Sequence, residues 1–187
     1  MPDFSKIIYG GATYTVKDEA SRSALVELID SGPKNKIEMT QTQETITKGN
    51  ITATFDKVAG TITLNGYNTS GNSAIFEFYS GNATDQRYIP AGTYHMSGCP
   101  AGGSTSTYRC MLNGISSAVD TGKGVTFTLT APKYAAYRIL ISGNCTFNNT
   151  VFKPMVCPEE LYKISDAFQP YRPSYQELYE MVKALQG

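Results

Sequence analysis

One histidine in 187 residues removes most nucleophilic and metal chemistry in a single step. That residue, His95, lies in Thr93-Tyr94-His95-Met96, where strand alternation sets it opposite Tyr94 and Met96 and predicts a solvent-facing ring. A Ser-His-Asp triad needs a positioned serine and a buried acid beside the imidazole, and no G-x-S-x-G turn occurs. Tryptophan is absent. The four cysteines, Cys99, Cys110, Cys145 and Cys157, are too few and too widely spaced for a disulfide scaffold, and no C-x-x-C pair exists. A four-thiolate metal site is formally open to them. The reading adopted is thiols packed as small hydrophobes, with no metal and no cofactor.

Acids are scarce where an enzyme would need them. Between Gly49 and Cys157 only Asp56, Glu77, Asp85 and Asp120 occur. Glycoside hydrolysis requires two carboxylates held several ångströms apart. Glu77 falls between Phe76 and Phe78, on the polar side of a strand. The three aspartates fall at turns, where a carboxylate bonds its own backbone. No catalytic residue is expected. The Gly-rich run at residues 101–106 lacks the lysine and the following helix of a phosphate loop, and no D-x-D-x-D-G calcium loop is present. Sixteen basic residues balance sixteen acidic ones, so no electrostatic footprint points to nucleic acid. No apolar run approaches the length that crosses a bilayer, so membrane insertion is not expected. Residues 1–6 carry neither the basic nor the apolar region of a secretory leader, which gives the expectation of a chain made and assembled in a cytoplasm.

What remains is threonine, serine, asparagine, glycine and rings. Ile7-Ile8-Tyr9, Gly10-Gly11 and Thr13-Tyr14-Thr15-Val16 read as a hairpin, because two glycines accept positive φ at both turn positions. A helix follows, capped by Asp18, with Ala20, Ala24, Leu25, Leu28 and Ile29 on one stripe, and Gly32-Pro33 stops it. From Lys36 the period changes to two. Alternating runs at Ile51–Phe55, Ile62–Leu64 and residues 75–79, 93–96, 108–112, 125–129, 137–141 and 151–155 are separated by turn clusters. Eight or so short strands predict a mainly β protein, an antiparallel sandwich of jelly-roll type, with an up-and-down barrel as runner-up. Phe168-Gln169-Pro170-Tyr171-Arg172-Pro173 is irregular by its prolines. Ser174-Tyr175-Gln176-Glu177 has the form of a capping box, and Tyr175, Leu178, Val182 and Leu185 follow at spacings of three and four. This divides the chain into a hairpin and helix (1–34), a sandwich (35–157) and a docked segment with a capped helix (158–187).

Thirteen tyrosines and eight phenylalanines supply the only positive lead toward a ligand. Sugars stack their C–H faces on aromatic rings while amides, hydroxyls and guanidinium groups fix orientation. Tyr67 in Asn65-Gly66-Tyr67-Asn68, Tyr88 beside Arg87 and Tyr108 beside Arg109 have that neighbourhood. Tyrosine is also favoured in strands for packing alone.

Three stretches carry a resemblance. Phe152-Lys153-Pro154-Met155, then Asp166-Ala167-Phe168-Gln169-Pro170-Tyr171, then Tyr175-Gln176-Glu177-Leu178-Tyr179-Glu180 resemble the end of a glycan-binding-like β-sandwich module in tail proteins of phages and prophages of gut Firmicutes. The opening, Ile8-Tyr9-Gly10-Gly11-Ala12-Thr13-Tyr14-Thr15-Val16-Lys17-Asp18, is similar to the GG-x-x-Y-x-V-x-D start of such proteins. Ser31-Gly32-Pro33-Lys34-Asn35 and Gly98-Cys99-Pro100-Ala101-Gly102-Gly103 are similar to further landmarks. The resemblance implies a virion component of tail-fibre or receptor-binding type, with a host-surface glycan and other tail proteins as partners. It supplies no site residue. It also implies threefold assembly, for which Leu25, Leu28, Ile29, Tyr175, Leu178, Val182 and Leu185 are the expected contacts; packing of those stripes onto a monomer's own sandwich is the rival. The alternatives to adhesion are a purely structural virion protein and, third, a polysaccharide depolymerase. An exposed aromatic patch would favour adhesion, and tyrosines all occupied in packing would favour the structural role.

Overall fold

The computed structural model describes residues 6–9, 12–15, 35–69, 71–78 and 87–172. The chain divides into two units, Met1–Pro33 with Pro173–Gly187, and Lys34–Arg172. In the first, β1 (Lys6–Tyr9) and β2 (Ala12–Thr15) pair antiparallel with Tyr9 opposite Ala12. Two glycines therefore connect them, as the alternation around Gly10-Gly11 predicts. The helices expected to carry Leu25, Leu28 and Ile29, and Tyr175, Leu178, Val182 and Leu185, lie outside the described residues.

The second unit is an antiparallel β-sandwich. Its strands are β3 (Thr45–Lys48), β4 (Ile51–Asp56), β5 (Thr61–Asn68), β6 (Ala74–Glu77), β7 (Arg87–Ile89), β8 (Gly92–Ser97), β9 (Tyr108–Asn113), β10 (Ile115–Asp120), β11 (Val125–Leu129), β12 (Lys133–Ile141), β13 (Cys145–Phe152) and β14 (Met155–Pro158), followed by α1 (Glu159–Ile164). One sheet has the order β10-β9-β12-β6, with β7 pairing the start of β12. A second runs β13-β5-β4-β3 and a third β11-β8-β14. Rings knit the first sheet to the second. Phe78 lies edge-on to Phe55 and Tyr137 at 6.5 and 5.0 Å, and Tyr108 meets Phe147 and Phe152 at 5.4 and 5.9 Å. The Tyr137 hydroxyl, from β12, donates to the Ser97 carbonyl at the end of β8, which brings the third sheet onto the same core.

Period two explains the burial. Ile51, Ala53 and Phe55 face inward from β4 and Ile62 and Leu64 from β5, while Thr52, Thr54, Thr63 and Asn65 share the other face. Pro154 breaks the apolar run of residues 151–156, as its missing donor predicts. Its missing donor ends β13 at Phe152, and β14 resumes at Met155 in a different sheet.

Two buried polar side chains hold the connections. Asn35 donates to the Pro154 and Gln169 carbonyls at 2.9 and 3.0 Å and accepts from the amides of Ile37 and Val156. It thus ties the entry of this unit to its exit. Asp120, 1% exposed, accepts from the amides of Cys99, Gly122, Lys123 and Gly124. This is the turn role expected of it, and Asp56 plays the same part toward the Ala59 amide.

Candidate functional site

Among the described residues, the widest aromatic exposure lies where β7 joins β12. Three residues pair there: Lys133 with Ile89, Tyr134 with Tyr88, and Ala135 with Arg87. Ile89 and Ala135 are buried, so alternation turns both tyrosines outward. Tyr88 is 54% and Tyr134 65% exposed, with ring centroids 5.5 Å apart and planes inclined at 64°. Two rings at that angle form an L-shaped apolar ledge with two phenol hydroxyls at its rim. The Lys133 ammonium approaches the Gly114 carbonyl at 3.5 Å, which keeps a cation at the strand end.

Tyr134 is the residue that sequence reasoning missed. The alternating run read from the sequence begins at Tyr137, the fifth residue of β12; two steps before it Ala135 continues the inward face, which leaves Tyr134 on the outward one, and that is the available signal. Tyr67 is 51% exposed on β5, opposite Thr146 of β13. Its polar neighbours are committed. Asn68 donates to the Asn72 and Gly143 carbonyls, and Asn65 accepts from the Asn149 amide.

Tyr108 and Arg109 are placed differently. The Tyr108 ring packs on Phe147 and Phe152, its hydroxyl donates to Ala101 at 2.8 Å, and burial raises its pKa. Arg109 donates to the Thr105 carbonyl and to Ser142, bracing two loops. Tyr108 pairs with Ile141 at the far end of β12 from Tyr134. Seven strand residues separate those ends by about 23 Å. The expected ligand residues therefore do not form one site: Arg87 and Tyr88 stand at one end of β12, Tyr108 and Arg109 at the other.

A shallow open groove of about 460 Å³ is lined by Thr42, Glu44, Thr45, Thr54, Phe55, Asp56, Lys57 and Val58. The Glu44 carbonyl accepts from the Phe55 amide and the Asp56 carboxylate accepts from the Ala59 amide, and Phe55 and Val58 lie in the groove beside three threonines. Glu77 lies 3.7 Å from Arg138 across the β6–β12 pair, and Asp85 lies outside the described residues.

His95 departs from expectation. Its strand face is the predicted one, opposite to that of Tyr94 and Met96, yet the ring is only 9% exposed. The cause is α1, which packs over β8 and β14 and stacks Tyr162 on the imidazole. The sequence predicts no helix at residues 159–164, so the alternation of β8 does not reveal the cover. Among the described residues no three His, Cys, Asp or Glu side chains gather into a metal-binding group. No helix there is long and apolar enough to cross a membrane. In comparison with known proteins, the chain matches no family model, no curated protein and no solved structure.

Proposed function

We propose that this protein is a non-enzymatic module of a phage or prophage tail that adheres to a carbohydrate of the host surface, with the Tyr88–Tyr134 ledge as its contact. The observation that carries the adhesive reading is that exposed ring pair. Two tyrosines more than half in water, side by side where β7 pairs with β12, offer stacking area that packing does not consume. Tyr67 is a further exposed ring on a different sheet. The assignment to a virion rests on the sequence motifs alone. The purely structural role is the second reading, favoured by the placement of Tyr108 and Arg109 in the scaffold.

Binding per copy is weak, because one ledge stacks only one or two sugar rings, and several copies on one particle multiply it through effective concentration. An array of bacterial surface polysaccharides, followed by calorimetry on any positive, tests this. Tyr88→Ala and Tyr134→Ala should each weaken binding by about 1 kcal/mol, roughly fivefold, with unchanged circular dichroism. Equal affinity of the double variant and the wild type would remove the ledge from the site. Absence of binding to every polysaccharide and to host cells would favour the structural reading.

A further inference from the structure

The binding surface makes no use of the buried imidazole. His95 lies on the face of β8 that points away from the sandwich core, with Thr126 of β11 on one side and Cys157 of β14 on the other. Tyr162 covers it, ring centroids 3.6 Å apart and planes 12° from parallel. The hydrogen bonds fix the tautomer. Thr126 Oγ1 stands 3.4 Å from Glu159 Oε1, and a carboxylate only accepts, so the hydroxyl donates to Glu159. The same oxygen then accepts from Nδ1–H of His95 at 3.2 Å. Nε2 is left with a lone pair, buried and with no hydrogen-bond partner. Gly124 is the residue pressed against it: a Cβ there would stand 2.4 Å from Nε2.

We propose that His95 makes α1 a pH-operated latch, in which protonation of Nε2 releases the helix from the β11–β8–β14 sheet. The groups facing the ring are Asp120 at the end of β10, Glu159 and Tyr162 on α1, and Cys157 on β14; Thr126 is the contribution of β11. Two carboxylates attract a proton to the imidazole, but each is already engaged. Asp120 accepts from four amides, and Glu159 is paired with Lys163 at 3.6 Å. A new N–H at Nε2 would find no acceptor, so loss of hydration prevails and holds the imidazole below its ordinary value.

The sign follows. The open state exposes the ring and binds the proton near pH 6.5, while the closed state binds it only at lower pH. Closure is therefore at full strength above about pH 6.5 and weakens as the pH falls through that value. Six helical residues cannot stand alone in water, so weakening the Tyr162 contact melts α1 rather than swinging it out intact. Melting uncovers Cys157, now fully buried.

The full chain allows a direct test, since its single histidine gives one set of imidazole resonances. These would be followed by NMR from pH 8 to 4.5, alongside hydrogen exchange of the α1 amides corrected for intrinsic rate and maleimide labelling located by mass spectrometry. The imidazole is expected to titrate below pH 6.5. Protection of α1 and of Cys157 should be lost over the same interval, while amides of β12 keep theirs. His95→Phe retains a ring for Tyr162 and has nothing to protonate, so it should abolish the pH dependence. Titration at or above pH 6.5, titration with α1 protection unchanged, or persistence of the effect in His95→Phe would each overturn the latch.

Discussion

At the scale of single residues, the buried polar groups define how this sandwich responds to its surroundings. Cys110 and Tyr137 are neighbours in the core, and burial pushes both the thiol and the phenol well above their ordinary values. Both are neutral when folded. The unfolded chain ionises its thiol from about pH 8.5 and its phenol from about pH 10, so it holds fewer protons than the native state at alkaline pH. Stability is then complete below about pH 8.5 and is lost as pH rises beyond it. Urea midpoints measured from pH 7 to 10.5 should decline, and Tyr137→Phe should flatten the upper part of that decline, because phenylalanine has no proton to lose. An identical slope in the variant would assign the alkaline loss elsewhere. Neither ionisation was visible in the sequence. Alternation identifies Tyr137 and Cys110 as strand residues, but whether a strand tyrosine ends in water or in the core depends on which sheet lies across from it. Tyr88, Tyr134 and Tyr137 illustrate this, two of them exposed and one at 1%.

At the scale of elements, the joints between sheets were readable in part. The glycine pair of the first hairpin and the proline between β13 and β14 announce themselves, because glycine freely accepts the positive φ of a tight turn and proline lacks the N–H that a strand needs. Gly98 has no such signal in the sequence, and its reason is geometric. With φ at +119°, it sits where the chain leaves β8 and meets the β13–β14 joint, and the Lys153 amide donates to its carbonyl. A Cβ there would stand 2.2 Å from the Lys153 carbonyl oxygen and 2.8 Å from Pro154 Cα. Neither is a flexible side chain that could move aside. Gly98→Ala should therefore cost about 3 kcal/mol or more, or prevent folding. Gly49→Ala is the fitting control, since φ is +59° there with nothing within 4 Å, and strain alone amounts to about 1 kcal/mol. Equal midpoints in chemical denaturation for the two variants would show that the close approach at Gly98 is relieved cheaply. What alternation could not reveal is α1. Glu159-Glu160-Leu161-Tyr162-Lys163-Ile164 is too short to carry a helical period, and it exists by docking. The error over His95 comes from that missing layer and not from the strand assignment beneath it.

At the scale of the whole molecule, the apolar stripes that the sequence predicts for the terminal segments call for a cover. Leu25, Leu28 and Ile29 near the start, and Tyr175, Leu178, Val182 and Leu185 near the end, recur at helical spacing. Gln176, Glu177, Glu180 and Lys183 fall on the opposite side of the second stripe. The helix that this spacing predicts would be marginal alone, so its stripe would need a partner surface, either its own chain or a sister chain. We propose a trimer on the resemblance to tail fibres alone, and the proposed adhesion by weak single contacts would gain most from such an assembly. Light scattering on the full chain should then give three times the mass of 20.3 kDa. Leu178→Asp with Leu185→Asp should return it to a monomer, because burying two carboxylates in an apolar seam is prohibitively unfavourable. The same variant should keep its affinity for a soluble oligosaccharide while losing about a hundredfold in binding to whole cells, since only the linkage between copies has gone. A wild type that is already monomeric at micromolar concentration, with its mass unchanged in the double variant, would place the stripes on the chain's own surface. Adhesion would then have to come from the number of copies the virion displays.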